Sequence, residues 1–239
     1  ADSTVSKPVQ HETDSLAVHA FYQPAQKIGG DLYDVFRLDD HRLGVAIADV
    51  SGKGVPASLL MAICQTNLRH YVRQYDSPAE VLTAMNDRMA NEIRRDMFIT
   101  IVYAVIDTRT SELTFARAGH ELPLLLQIDR DSRRPRTRFL GAEGMAVGMV
   151  ASEIFNTVIA DKTVPFRKGD SLVLYTDGVT ETVDEHGEEF SGDRLADTLR
   201  VHHNEDPEEI NRAIRNAVRQ HGVSPSFADD LTLITVKHT

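Results

Sequence analysis

Residues 43–73 read LGVAIADVSGKGVPASLLMAICQTNLRHYVR, and a change of rhythm inside that stretch decides the kind of fold. From Leu43 to Val50 the run is apolar apart from Asp49, as in a buried strand. Gly52 and Gly54 break the run. From Val55 to about Arg73 the pattern is helical, with Leu59, Leu60, Ile63, Leu68 and Val72 clustered on one side. A strand therefore passes through an acid and a glycine-rich loop into a helix.

The neighbouring segments extend this reading. Residues 16–22 and 31–38 read as strands, and the turn at Asp39, Asp40 and His41 joins the second of them to the strand at 43. Ser77 as N-cap and Pro78 in the first turn open a second helix. It carries Val81, Leu82, Met85 and Met89 toward a core and ends near Arg95. FITIVYAVIDTRTSELTFARAG, residues 98–119, is two β-rich runs joined by a polar turn, the signal of a hairpin. Further strands are expected at 122–128, 154–160 and 171–176, helices at 192–202 and 207–221, and a closing strand at LTLITVK. The stretch 129–138, DRDSRRPRTR, is too polar to pack and reads as an exposed loop. Strands in consecutive groups and helices in pairs point to a layered α+β fold with antiparallel sheets, not to a doubly wound parallel sheet. Residues 1–14 are polar and read as a linker from a longer parent chain; residues 15–239 read as one domain with no internal boundary.

Bulk composition removes several functional classes. A net charge of −10 disfavours nucleic acid and anionic membrane as partners of this domain, because phosphates are neutralised by Lys and Arg. The single cysteine, Cys64, excludes an internal disulfide and sits in an apolar run, as a buried hydrophobe does. No C-x-x-C or H-E-x-x-H spacing supports a zinc site. No apolar run approaches the roughly 20 residues that span a bilayer. GKGVPAS lacks the G-x-x-x-x-G-K-[ST] spacing of a nucleotide-binding loop.

The chemistry lies in the carboxylates. Asp49 ends one apolar strand and Asp177 another, Asp31 follows Gly29 and Gly30 at the start of a strand, and Asp229 and Asp230 precede the last strand. Each acid falls where a buried strand meets a loop. Turn chemistry alone accounts for any one of them, since Asp accepts backbone N–H bonds at strand ends. Several converging acids would instead repel one another unless a cation sat between them, and oxygen ligands of this kind favour Mg²⁺ or Mn²⁺.

IGGDLYDVF, IADVSGKGVPASLLMA, ARAGHELPLLL, LVLYTDGVTE and ADDLTLITV, in that order across residues 20–237, resemble the protein phosphatase 2C-like (PPM) superfamily, in its bacterial SpoIIE/RsbU branch. The resemblance implies a four-layer α-β-β-α sandwich, with two stacked antiparallel sheets flanked by helices. It implies a serine/threonine phosphatase using two Mn²⁺ or Mg²⁺ ions, in which water bridged by the ions attacks phosphorus in line. Carried over motif by motif, Asp49 would bridge both metals and the Val50 carbonyl would ligate one. Asp177 and Asp229 would bind the other, Asp31 would act through water, and Asp230 would orient the ligand beside it. Asp34 is a less favoured candidate at the site's edge. The implied partner is a phosphorylated STAS-type anti-sigma-factor antagonist, with a sensor domain upstream in the parent chain and room for a regulatory homodimer. The implied location of the domain is cytoplasmic, with membrane anchoring left open for the parent.

The departures are specific. Where many eukaryotic members place Gly-His after the bridging aspartate, this chain has Val50 and Ser51, so no general acid is assigned. The phosphate-gripping arginine of those members has no counterpart, Lys27 being the nearest cation. His120, within AGH, reads as a structural hydrogen-bonding group. In this branch the helices after the loop are implicated in regulation, which marks helix 55–73. Two alternatives remain: a catalytically weak module that binds phosphoprotein, and a metal-dependent hydrolase of small phosphoesters. The complete acid set favours the phosphatase.

Overall fold

The computed structural model describes residues 15–25, 29–52, 54–90, 93, 96–223 and 229–239. The expected linker at 1–14 and Lys27 lie outside these residues. The chain packs as two compact units, whose described residues fall within Ile28–Leu122 and Gly141–Pro165 for one, and Ala1–Lys27, Pro123–Leu140 and Phe166–Thr239 for the other.

The first unit is built on β2 (Leu32–Arg37), β3 (Arg42–Val50), β4 (Ile99–Asp107), β5 (Glu112–Ala118) and β8 (Lys162–Pro165), in the sheet order β2-β3-β4-β5-β8, all antiparallel. Six consecutive residues of β3, Leu43–Ala48, are buried, which explains the continuous apolar run in the sequence. Three helices belong to this unit: α1 (Val55–Tyr71), α2 (Pro78–Met89) and α3 (Ser152–Val158). Ala57, Leu60, Cys64 and Leu68 of α1, and Val81, Leu82, Met85 and Met89 of α2, join Ala46, Ala48, Ile101 and Tyr103 in one core. Ser77 caps α2 as expected, its hydroxyl accepting the Glu80 N–H at 3.1 Å.

The second unit has β1 (Leu16–Gln23), β6 (Leu124–Ile128), β7 (Pro135–Phe139), β9 (Ser171–Tyr175) and β10 (Leu231–His238), in the order β1-β10-β9-β6-β7, again antiparallel. Its helices are α4 (Asp177–Thr180), α5 (Ser191–Val201) and α6 (Pro207–His221). Asp206 caps α6 through the Glu209 N–H at 2.9 Å. Ile210, Ile214 and Val218 then fall at helical spacing on a core shared with Leu195, Leu199, Leu231 and Leu233.

The α+β class with two antiparallel sheets and accompanying helices is the one the chain adopts, and the hairpin at 98–119 forms as β4 and β5. Two elements differ from expectation. Residues 154–160 are not a strand: Ser152–Val158 form α3, with Phe155 alone fully buried, so the apolar letters there follow no period of two. The polar stretch after 129 is only partly loop, because Pro135–Phe139 pair with β6 as an edge strand whose Arg136 and Arg138 face solvent. Among the described residues, no helix is long and apolar enough to cross a membrane.

Candidate functional site

In the first unit the acids gather at the end of β3. Asp49 pairs with Thr100 in the β3–β4 ladder and Val50 with Ile99. Gly52 and Gly54 follow with φ of 95° and 76°, a backbone that L side chains rarely adopt, and the chain then turns into α1. Gly30 comes to the same place from upstream. A Cβ added to Gly30 would meet the Val50 carbonyl oxygen at 3.1 Å and Asp49 Oδ1 at 3.6 Å. The missing side chain therefore lets the Gly30–Asp31 backbone lie against two of the predicted ligand groups. Ser58, in the first turn of α1, donates to the Gly29 carbonyl at 3.1 Å and ties that approach to the helix. Asp31 is buried beside it.

The residues around Asp49 are specified by hydrogen bonds. The Ser51 hydroxyl accepts the Phe98 N–H at 2.7 Å, and Ser51 N–H donates to the Phe98 carbonyl at 3.0 Å. Ser51 thus carries on the β3–β4 pairing beyond the ladder. His120 is buried, its Nδ1 2.9 Å from Thr100 Oγ1, and Thr100 in turn reaches the Asp49 carbonyl at 3.4 Å. The Arg117 guanidinium donates to the carbonyls of His120 and Ala142. His120 thus makes a hydrogen bond of the kind expected of it. Asp34, the less favoured candidate, is 5% exposed and engaged with α1. Arg69 grips it with two bonds of 2.6 and 2.9 Å, and Gln65 adds a third. Arg69 escaped sequence reasoning, because a lone arginine on a helix carries no signal of the strand it faces. Cys64 is fully buried and its thiol is pushed up to about 12 by desolvation, which leaves no thiolate for nucleophilic chemistry.

In the second unit the end of β9 meets the start of β10. Asp177 opens the short helix α4, and Thr176 exchanges backbone and hydroxyl bonds with Thr232. A Cβ on Gly178 would lie 2.1 Å from the Asp230 carbonyl oxygen, so the Asp177–Gly178 backbone sits directly on Asp229–Asp230. Asp230 is 8% exposed, and its Oδ1 accepts the Ala25 N–H at 2.8 Å, which fixes the start of β10 to the end of β1. Asp229 is exposed, and its Oδ1 accepts the Asp230 N–H at 2.9 Å.

The structure thus brings Asp31 together with Asp49 and Val50 in one unit, and Asp177 together with Asp229 and Asp230 in the other. Among the described residues, no group of three or more His, Cys, Asp or Glu side chains is close enough to hold a metal ion. The donor chemistry nonetheless fits a hard divalent cation. Every predicted ligand is a carboxylate or peptide oxygen, and Gly30, lacking a side chain, places none against the Val50 carbonyl and Asp49 Oδ1.

The profile of the stage II sporulation protein E (SpoIIE) family matches residues 39–239, and the chain belongs to that family. Over 177 residues it is 32% identical to the phosphoserine phosphatase RsbU of Bacillus subtilis (strain 168), a match that takes in 74% of this chain and 50% of RsbU. The chain therefore spans about half the length of that relative. The SiaA-PP2C domain of Pseudomonas aeruginosa has a similar fold, with a TM-score of 0.80 and 21% identity over 93% of this chain and 86% of that one. RsbX, solved in complex with magnesium, is similar at a TM-score of 0.71 and 17% identity over 99% of this chain and all of that one. At these identities the likeness to solved structures is one of fold.

Proposed function

We infer that the chain is a metal-dependent protein serine/threonine phosphatase domain that hydrolyses phosphoserine or phosphothreonine on a partner protein. The observation that carries this reading is the packing of Gly30–Asp31 on Asp49–Val50 in a SpoIIE-family chain, an all-oxygen donor set held by backbone approach. The naming of RsbU as a phosphoserine phosphatase supports the substrate class. Asp31, Asp49, Asp177, Asp229 and the Val50 carbonyl are the proposed ligands of two Mn²⁺ or Mg²⁺ ions, the kind of ion with which RsbX was solved.

When bound, such ions supply Lewis-acid chemistry, activating water and offsetting charge on the phosphoryl oxygens. The chain's own groups hold and orient. The Asp49 strand end is fixed by Thr100 and Ser51, and the Asp229 backbone by Gly178 and by the Asp230–Ala25 bond. Val50 is apolar and the Ser51 hydroxyl holds the Phe98 N–H. A serine hydroxyl is in any case far too weak an acid to protonate a leaving oxygen, so we assign that step to solvent water and not to a side chain next to Asp49. A STAS-type phosphoprotein is the proposed partner, and an upstream sensor domain the proposed source of its signal.

Hydrolysis of p-nitrophenyl phosphate and of a phosphoserine-bearing STAS protein, with and without Mn²⁺ or Mg²⁺, tests this reading. Activity should require added metal and fall by about a thousandfold or more in Asp49→Asn and Asp177→Asn. Turnover that survives chelation would sink the metal assignment. Binding of the phosphoprotein with no turnover in any metal would favour the binding-module alternative.

A further inference from the structure

The chain carries a net charge of −10, yet one cleft concentrates cations. It lies in the second unit, where β6 ends, the β6–β7 loop turns back and the turn before β9 begins. Arg130, Arg133, Arg136, Arg138, Arg167 and Lys168 line it, around a cavity of about 750 Å³. Its two acids are engaged with the backbone. Asp170 is 3% exposed and accepts the N–H groups of Ile128 at 3.3 Å and Arg167 at 2.9 Å, with the Gln127 amide at 3.2 Å. Asp129 accepts the N–H groups of Asp131 and Ser132 and the Ser132 hydroxyl, and pairs with Arg136 at 3.1 Å. Among the described residues, the side chains of Arg130, Arg133, Arg138, Arg167 and Lys168 have no ion-pair partner.

Like charges lining one cleft repel, and among its described lining residues Asp129 and Asp170 are the only carboxylates. A bound anion would relieve the repulsion. Five of the six cations are arginines, whose forked donors match phosphoryl and carboxylate oxygens bidentately. Among the described residues no aromatic ring lines the cleft, and none of them offers a platform for stacking a nucleobase. The cavity has the size of a small-ligand site, not of a flat surface for lipid. An extended acidic peptide advances about 3.3 Å per residue and spreads its charges along a line, whereas linked phosphoryl groups place several charges within a compact volume. We propose that this cleft binds a compact polyanion containing two or more linked phosphoryl groups. Within its own unit it is separate from Asp177. Asp170 and Asp177 flank β9 at opposite ends, roughly 20 Å apart for an extended strand.

Isothermal titration of the whole chain with sodium tripolyphosphate, in buffer containing EDTA, tests the cleft independently of any metal-bound phosphate. Saturable binding that weakens as salt is added is expected. The double variant Arg133→Gln/Arg138→Gln should weaken it by about tenfold or more. Arg73→Gln/Lys162→Gln, which removes the same charge from exposed positions outside the cleft, should bind as the parent does. Both variants alter exposed side chains, and an unchanged melting temperature verifies that each is folded. Absence of binding, or equal weakening in the two variants, overturns the proposal. Orthophosphate binding as tightly as tripolyphosphate overturns the requirement for linked groups. Equal binding of hexaglutamate, or displacement of tripolyphosphate by phosphatidylglycerol vesicles, overturns the ligand class in favour of an acidic segment or a lipid surface.

Discussion

Position 178 has no room for even a methyl group. With a Cβ only 2.1 Å from the Asp230 carbonyl, Gly178→Ala must push the Asp177 and Asp229–Asp230 backbones apart. Overpacking of this kind costs about 1–3 kcal/mol, to be read as a lower denaturation midpoint, and the variant should also lose most of any Mn²⁺-dependent thermal shift. A variant with parental midpoint and parental metal response would show that this contact does not organise the acids. Position 30 is less crowded, at 3.1 Å from the Val50 carbonyl, so Gly30→Ala should disturb metal response more than stability. Cys64 makes a different point. Fully buried, with its thiol pushed up to about 12 by desolvation, it should resist iodoacetamide in the native state at pH 8 and react only as the protein unfolds. Rapid native labelling would contradict the assignment of Cys64 as an inert core residue.

At the scale of elements, α1 shows what hydropathy alone misjudges. Counting large apolar residues aimed Leu59 and Ile63 at the core, but they are 63% and 48% exposed. The buried stripe runs through Ala57, Leu60, Cys64 and Leu68, two of which are small and score weakly in a hydrophobicity pattern. Close approach of α1 to the sheet favours the small residues. The helix is also clipped to β2 by Arg69 on Asp34, whose side chains are 57% and 7% exposed. Arg69→Ala leaves a carboxylate short of donors in a nearly buried position. A cost of about 1–2 kcal/mol is expected, the solvent exposure of Arg69 keeping it at the lower end of the range for a charged bond. The double variant Asp34→Asn/Arg69→Ala should recover part of it. Chemical denaturation of the set checks this, and additive losses would show that the clip contributes nothing.

For the molecule as a whole, stability should respond to pH and to metal. His19, on β1, accepts a hydrogen bond at Nδ1 from the Asn211 amide at 2.9 Å, and Asn211 also accepts from Thr235. Burial, as the largest cause, lowers the His19 pKa below its usual 6.5. The unfolded chain then binds the proton more readily than the folded one. Stability from this group is therefore complete above about pH 6.5 and declines as pH falls below it. His19→Gln should flatten that decline between pH 7.5 and 5.5; an identical decline in the variant would assign it elsewhere. If acids face a common cation, metal at a hundredfold excess over its dissociation constant should add about 2.7 kcal/mol by linkage, visible as a higher Tm in the parent and not in Asp49→Asn.

Much was legible in the chain before any packing was known. The strand carrying Asp49, the capped start of α2, the helix opening at Pro207 and the β4–β5 hairpin all follow from local period, cap and turn chemistry, which neighbouring residues carry among themselves. These elements, and the placing of acids at strand ends, could be read from the chain alone. Tertiary structure alone decided that Gly30 lies on Val50, that Gly178 lies on Asp230, that Asp34 belongs to Arg69, and that cations from 130–138 meet those of 167–168 in one cleft. Each of these pairs distant segments. Which segments meet is set by the summed packing of whole sheets and helices, and no local spacing of residues encodes it.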